Sequence, residues 1–183
     1  MALRFEKTSD PLPVEIRAMR VGDIDEVFAI ETASYTYPWP RQCFLDELMR
    51  NNYARYFVAL AEGQIVGYAG FWLIAGESHI TNIAVDYGFR RRKVAEQLLV
   101  FIIEQALANR CESMFLEVRR YNLPAQRLYT RYRFIPIRVR EAYYRDNNED
   151  AIELRVENTA DPRFLSNFTE HRRSLNRLLY DEE

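Results

Sequence analysis

The spacing of hydrophobic residues switches between two periods along the chain, and each switch marks an element. Glu15 to Met19 alternates, with Ile16 and Ala18 on one side, which predicts a short strand. Ile24, Val27, Phe28 and Ile30 then follow helical spacing to Ala33, with Asp23 placed to cap the helix. Tyr35-Thr36-Tyr37-Pro38-Trp39-Pro40 breaks it: each proline restricts the residue before it to extended backbone, so a stiff aromatic loop is predicted. A second helix follows, with Phe44, Leu45, Leu48 and Met49 apolar. Tyr56 to Ala61, Gln64 to Ala75 and Ser78 to Val85 are strand-like runs separated only by Glu62-Gly63 and Gly76, as in an antiparallel meander. After Asp86 the period becomes helical, through Val94, Leu98, Leu99, Ile102, Ile103 and Ala106 to Asn109. Ser113 to Val118 predicts a strand and Leu123 to Tyr132 a short helix. Phe134 to Tyr143 and Ala151 to Val156 are strands around the turn Asp146-Asn147-Asn148.

This order predicts an α+β fold with a mostly antiparallel sheet flanked by helices. The strand–helix–strand unit from Thr81 to Val118 should make its two strands parallel, with a right-handed crossover. Residues 1–13 are polar with two prolines and read as a loose lead-in, 14–156 as the main domain, and 157–183 as an appended extension. In that extension an Asp161-Pro162 cap precedes Phe164, Leu165, Phe168, Leu175, Leu178 and Leu179 at helical spacing. This amphipathic helix either docks on the body or forms a dimer contact, so the expected state is a monomer or weak dimer.

Composition narrows the chemistry. With 183 residues and 48% hydrophobic content, one domain with a real core is expected, which excludes a disordered chain or a disulfide-stapled scaffold. The net charge of -2 supplies no overall basic field for nucleic acid. The first thirteen residues lack the apolar stretch of a signal peptide, and no run is long enough to cross a membrane, so the expected location is the cytoplasm. Cys43 and Cys111 lie far apart and suit a reducing compartment. With only His79 and His171 besides, they leave little material for a metal site or a Ser-His-Asp triad. Glycine is scarce: there are six, and none follows Phe89.

The most informative local feature is Phe89-Arg90-Arg91-Arg92-Lys93-Val94-Ala95, between an apolar strand and an amphipathic helix. Free N–H groups and partial positive charge at a helix start suit a phosphate. Four successive cations there oppose the helix dipole and one another, and an anion would relieve that cost. The alternative is a solvated basic surface.

Asn82-Ile83-Ala84-Val85-Asp86, the Phe89–Ala95 turn, Leu116-Glu117-Val118-Arg119 and Asn122-Leu123-Pro124-Ala125-Gln126-Arg127-Leu128-Tyr129 resemble the core of the GCN5-related N-acetyltransferases (GNAT). Within that family they are most similar to the RimI type, the ribosomal-protein-alanine N-acetyltransferases. The resemblance runs from about Ile16 to Leu154. It implies acetyl-CoA as co-substrate and no metal. Backbone groups of Ile83, Ala84 and Val85 would meet the pantetheine arm, and the turn Arg90, Arg91, Arg92, Lys93, Val94 and Ala95 the pyrophosphate. Asn122 matches a coenzyme contact, Glu117 the general base and Tyr129 the general acid. The acceptor implied is a protein N-terminus, of a ribosomal protein in the RimI type, with Tyr35, Pro38, Trp39, Tyr143 and Tyr144 flanking its groove and Glu31 as a weaker partner for its ammonium.

These residue types suit the chemistry. An α-amine has an unperturbed pKa near 8 and must be neutral to attack a thioester. Glu117 closes an apolar strand, where burial favours the neutral acid. Taken alone, Glu117 also reads as a strand-end carboxylate paired with Arg119, and Tyr129 as a core aromatic with a satisfied hydroxyl. Two positions depart from the family pattern. Lys93 stands at the first glycine of the turn and Arg133 at the glycine that ends the Leu123–Tyr132 helix, where a side chain is strained by roughly 1 kcal/mol. Two other functional readings therefore stay open: a GNAT-fold binding or regulatory protein with weakened or lost catalysis, and an acetyltransferase acting on a small amine or a lysine side chain.

Overall fold

A computed structural model describes residues 10–180. Among them seven strands form one sheet in the order β1-β2-β3-β4-β5-β7-β6. The elements are β1 (Glu15–Ala18), α1 (Ile24–Ser34), α2 (Arg41–Met49), β2 (Ala54–Ala61), β3 (Gln64–Ile74), β4 (Glu77–Val85), α3 (Val94–Ala108), β5 (Ser113–Arg119), α4 (Leu123–Arg131), β6 (Ile135–Tyr144), β7 (Glu149–Val156) and α5 (Pro162–Tyr180). All neighbouring strands are antiparallel except β4 and β5, which run parallel. The architecture is the predicted α+β mixed sheet. No helix among the described residues is long and apolar enough to cross a membrane.

Alternation along the strands sends side chains to two cores, because successive Cβ atoms point to opposite faces. One face of β2–β4 carries Tyr56, Val58, Tyr68 and Ala84, which pack with Ile24, Val27, Ile30 and Phe44 from α1 and α2. The other face packs Ala59, Val66, Ala69, Phe71 and Ile80 on Leu98, Leu99, Ile102 and Ile103 of α3. Phe164, Phe168 and Leu175 of α5 are buried in this second core, and Arg172 reaches Glu104 of α3 at 2.8 Å. The C-terminal helix therefore docks on the body, while its Leu165 and Leu178 face outward. Asp161 caps it, accepting from the Arg163 N–H at 2.8 Å.

Three local expectations are corrected. Asp23 does not cap α1: its carboxylate takes both Arg17 Nη atoms, at 2.7 and 2.9 Å, and the Arg20 N–H. A bidentate guanidinium outcompetes a capping N–H for the same oxygens. Met49 is exposed because α2 ends there. The lead-in is stitched down from Asp10 onward, where Asp10 O accepts from Arg92 Nε. Leu12 N–H bonds Arg92 O at 3.0 Å, and the Gln97 side chain bonds both Val14 N–H and Leu12 O. Its first nine residues lie outside the described ones.

Both departures from glycine adopt the glycine conformation: Lys93 has φ 67° and Arg133 φ 62°. The Arg133 backbone N–H bonds Thr130 O and its side chain makes no bond among the described residues. Arg133→Gly is therefore expected to raise stability by roughly 1 kcal/mol, read as a higher midpoint in urea at unchanged slope.

Candidate active site

The site begins where two strands part. β4 and β5 pair from Glu77↔Ser113 to Ile80↔Leu116 and then stop, although β4 continues to Val85 and β5 continues against β7 to Arg119. The parting opens a cleft of about 550 Å³. Glu117, Tyr129, Ile83, Asn122, Tyr35, Trp39, Tyr143 and Tyr144, singled out from the sequence, all line it. Pro38 does not: it shapes the loop whose neighbours Tyr37 and Trp39 reach the cleft. Ala84, Val85 and the turn Arg90–Ala95 also lie outside the lining, further along β4 and at the start of α3.

Glu117 is half-buried, with only 7% of its side chain exposed, and it is held from both sides. Oε2 bonds His79 Nε2 at 2.7 Å and Oε1 lies 3.1 Å from Arg140 Nη2. Arg140 is explained by register. Glu117 of β5 stands directly opposite Glu153 of β7, a like-charge pair that repels. Arg140 bridges the two, reaching Glu153 at 2.8 Å, and Arg138 adds a bond to Glu153 at 2.7 Å. Burial would raise the Glu153 carboxyl, but the Arg140 and Arg138 bonds outweigh it and hold it below its ordinary value. Arg119 does not pair with Glu117. It binds Asp146 at 2.7 Å and Glu149 at 3.0 Å at the tip of the β6–β7 hairpin.

Tyr129 reaches the cleft from α4, with its ring tilted against Phe134. Its hydroxyl makes no hydrogen bond among the described residues, so it is not the satisfied core tyrosine of the alternative reading. Burial pushes it up to about 12, so it stays protonated at neutral pH and has a proton to donate.

Aromatic side chains wall the rest. Tyr35 donates to Ile83 O at 3.2 Å, which ties the loop to β4. Tyr143 and Tyr144 meet edge to face at 5.1 Å, and the Arg119 guanidinium lies 4.0 Å from the Tyr144 ring. Glu31 acts as a pin: one oxygen accepts the Trp39 N–H at 2.8 Å and the other accepts the Tyr68 hydroxyl. Burial raises its carboxyl above the ordinary value, while the bonds from Tyr68 and Trp39 oppose the rise. A raised carboxyl favours the native state at low pH, and that contribution is lost as pH rises from the ordinary value to the raised one. Glu31→Gln keeps an acceptor for Trp39 without the charge. Its stability relative to wild type should therefore improve between pH 4 and pH 8, as read from urea midpoints.

The basic turn is built mainly from backbone. A short 3-10 turn, Tyr87–Phe89, is capped by Asp86, and α3 starts behind the left-handed Lys93. Three cations are used inside the protein. Arg90 bonds Val85 O and Ser34 Oγ, Arg92 bonds Asp10 O, and Lys93 Nζ binds the buried Glu96 at 2.8 Å. Glu96 also takes Arg131 and the Tyr132 hydroxyl. Burial would raise its carboxyl, but the bond from Lys93 and these partners hold it below its ordinary value. Arg91 is exposed and makes no side-chain bond among the described residues. The N–H groups of the first turn of α3 have no intrahelical acceptor and remain for an anion.

The family model described as "Acetyltransferase (GNAT) family" matches residues 24–134. This chain belongs to the GNAT family. A Bacillus subtilis (strain 168) protein provisionally named a ribosomal protein bS18-alanine N-acetyltransferase is 39% identical over 137 residues, 75% of this chain and 91% of the relative. The ribosomal protein bS18-alanine N-acetyltransferase of Haemophilus ducreyi is 32% identical over 124 residues, 67% of this chain and 83% of the relative. The crystal structure of the ribosomal-protein-S18-alanine N-acetyltransferase from Escherichia coli matches with TM-score 0.73 and 25% identity, covering 79% of this chain and 93% of that one.

In this GNAT acetyltransferase the sequence reading missed His79, Arg140 and Trp72. His79 looked solitary because its partner lies on a parallel strand 38 residues away, and only the His79↔Phe115 register brings the two to one face. Arg140 reaches the site through irregular pairing of β6 with β7. A helical or alternating pattern carries no trace of either. The residues present fit acetyl-CoA: an edge of β4 at Ile83–Val85 that β3 pairs on one side and β5 no longer covers on the other, N–H groups without an intrahelical acceptor at the start of α3, and Asn122 lining the cleft, where its Oδ1 caps α4.

Proposed function

We propose that this acetyltransferase modifies the N-terminal α-amine of a protein, in the manner of the ribosomal-protein-alanine enzymes it resembles. Glu117 is the general base and Tyr129 the general acid. Residues 14–156 form the catalytic domain and 157–183 its helical extension. The observation that carries the reading is the meeting of Glu117 and Tyr129 in one cleft, where β4 and β5 separate. When bound, acetyl-CoA supplies an activated acetyl thioester. The chain's own residues orient the acceptor and move its protons. Glu117 takes a proton from the acceptor nitrogen, and the Tyr129 hydroxyl gives one to the departing sulfur. Tyr35, Trp39, Tyr143 and Tyr144 hold the first residues of an extended peptide and keep water from the attacking amine. Ile83, Ala84 and Val85 with the Arg90–Ala95 turn and Asn122 hold the coenzyme.

The reading of a fold retained without catalysis rested on Lys93 and Arg133. Each takes the left-handed backbone of the glycine it replaces, and Glu96 draws the Lys93 side chain aside. Mass spectrometry of peptides incubated with acetyl-CoA tests the proposal. The expected product is a peptide with an N-terminal alanine gaining one acetyl group on its α-nitrogen. Transfer only to lysine side chains or small amines, with free N-termini untouched, overturns it.

A further inference from the structure

One carboxylate beside the basic turn is buried and has no part in the proposed chemistry: Glu96, in the first turn of α3. Resting on the reading that the Arg90–Ala95 turn holds the coenzyme, we propose that Glu96 is a positioning residue for that turn. By gripping the Lys93 ammonium it keeps the main chain on the path that leaves the first N–H groups of α3 open to the coenzyme's phosphates.

The turn needs holding. Arg91 has φ 68° and Lys93 φ 67°, and left-handed backbone is costly for any residue with a Cβ. The lead-in secures Arg92, through Leu12 N–H on Arg92 O at 3.0 Å and Arg92 Nε on Asp10 O at 3.2 Å. The Lys93 carbonyl takes the Gln97 N–H at 3.0 Å, and its side chain is secured by Glu96 Oε2 at 2.8 Å. Glu96 is in turn a fixed post. Its Oε1 accepts from Arg131 Nη1 and from the Tyr132 hydroxyl, both at 3.1 Å. Tyr132 is fully buried and lies against Phe168 and His171 of α5, with ring centroids 6.4 and 5.6 Å away.

The place of Glu96 in the helix sharpens the point. Lys93 stands at the cap of α3, so Glu96 is the third residue of the helix. A glutamate there ordinarily turns back to accept the N–H of the cap residue. Here its bonds go to Lys93, Arg131 and Tyr132 instead, and the Lys93 side chain makes no capping bond. The diversion leaves the first-turn N–H groups open to a ligand. It also sets two cations on a carboxylate that would otherwise repel an anion at this helix start.

Calorimetry with coenzyme A tests the proposal on wild type, Glu96→Gln, Lys93→Gly, the double variant Lys93→Gly/Glu96→Gln, and Arg91→Glu. Glutamine keeps an oxygen for Arg131 and Tyr132 but turns an amide N–H toward the ammonium, so it releases Lys93 alone. Glu96→Gln should raise Kd by about 5- to 20-fold. Steady-state kinetics should show the same rise in KM for acetyl-CoA with kcat within about twofold, a split that general loosening of the fold does not produce. In the Lys93→Gly background glycine takes the left-handed path unaided, so adding Glu96→Gln should change Kd by less than about twofold. Thermal melting checks folding. Lys93→Met removes the same ion pair from its outer side, and an unchanged Kd there overturns the proposal even if Glu96→Gln does not fold. Tighter binding by Glu96→Gln makes Lys93 a phosphate ligand held in reserve and overturns it. An equal loss in both backgrounds means that Glu96 does not act through Lys93 and overturns it too. Unchanged Kd in Glu96→Gln beside weaker binding in Arg91→Glu overturns the positioning role and leaves the turn as the coenzyme's. Unchanged Kd in both overturns that reading and the proposal with it.

Discussion

Glu117→Gln is expected to lower kcat by about 10²–10⁴-fold while coenzyme A binding stays at the wild-type level. The substitution is nearly isosteric. The amide oxygen can still face Arg140 and the amide nitrogen can still face His79, so the pairing across β5 and β7 survives. Only the ability to take a proton is lost. The deficit should shrink as pH rises past the usual pKa of an α-amine, near 8, because the acceptor then arrives already neutral. A rate profile from pH 6 to pH 10 for wild type and variant checks this. Parallel profiles with a constant ratio would mean that Glu117 positions rather than deprotonates. Tyr129→Phe gives the contrasting pattern: its hydroxyl, pushed up to about 12 by burial, is protonated throughout most of that range, so its loss should cost a similar factor at every pH below that value.

Gly70→Ala is expected to destabilise the fold by about 3 kcal/mol and to damage the cleft with it. A Cβ at Gly70 would stand 2.8 Å from Cδ1 of Tyr56 and closer still to Cε1 and Cζ. That ring cannot retreat cheaply. It is buried, lies edge-on to Phe44 at 6.3 Å, and its hydroxyl reaches Thr81 at 3.2 Å and Asn82 at 3.3 Å. Thr81 and Asn82 follow the last residue of β4 paired with β5 and line the cleft. Relieving the clash therefore shifts the strand at the point where it leaves its neighbour. Urea denaturation gives the stability loss, and calorimetry with coenzyme A should show weaker binding in the folded fraction. Wild-type stability would mean that β3 shifts at its irregularity between Gly70 and Phe71 and absorbs the methyl.

Much of this architecture is legible in the sequence, because its elements are strongly periodic. The meander β2–β4 and helix α3 follow the alternating and helical spacing to within a residue or two. Glu117 and Tyr129 stand out only by resemblance to a family, since a single carboxylate or tyrosine has no pattern of its own. The remaining parts depend on long-range register. Opposition of Glu117 and Glu153 follows from β7 inserting between β5 and β6, which no local signal announces. Arg140 and His79 become site residues only through that register and the parallel one. Asp23 misled in the other direction: its position before a helix pointed to a cap, and a guanidinium six residues earlier claimed it. Glu31, read as a partner for the incoming ammonium, does line the cleft, and its oxygens also accept a loop N–H and a buried tyrosine hydroxyl, which no local pattern announces.

The parting of β4 from β5 divides the site into two kinds of inheritance. On the proposed coenzyme side the recognising groups would be main-chain amides and carbonyls, which every residue type except proline supplies in full. A side chain there is free to differ, as Lys93 does, so long as the backbone path is kept. On the proposed acceptor side Tyr35, Trp39, Tyr143 and Tyr144, which line the cleft, would recognise through their own shapes, and one substitution would change what fits. A lineage built on this fold can therefore exchange one acceptor for another while its donor stays constant.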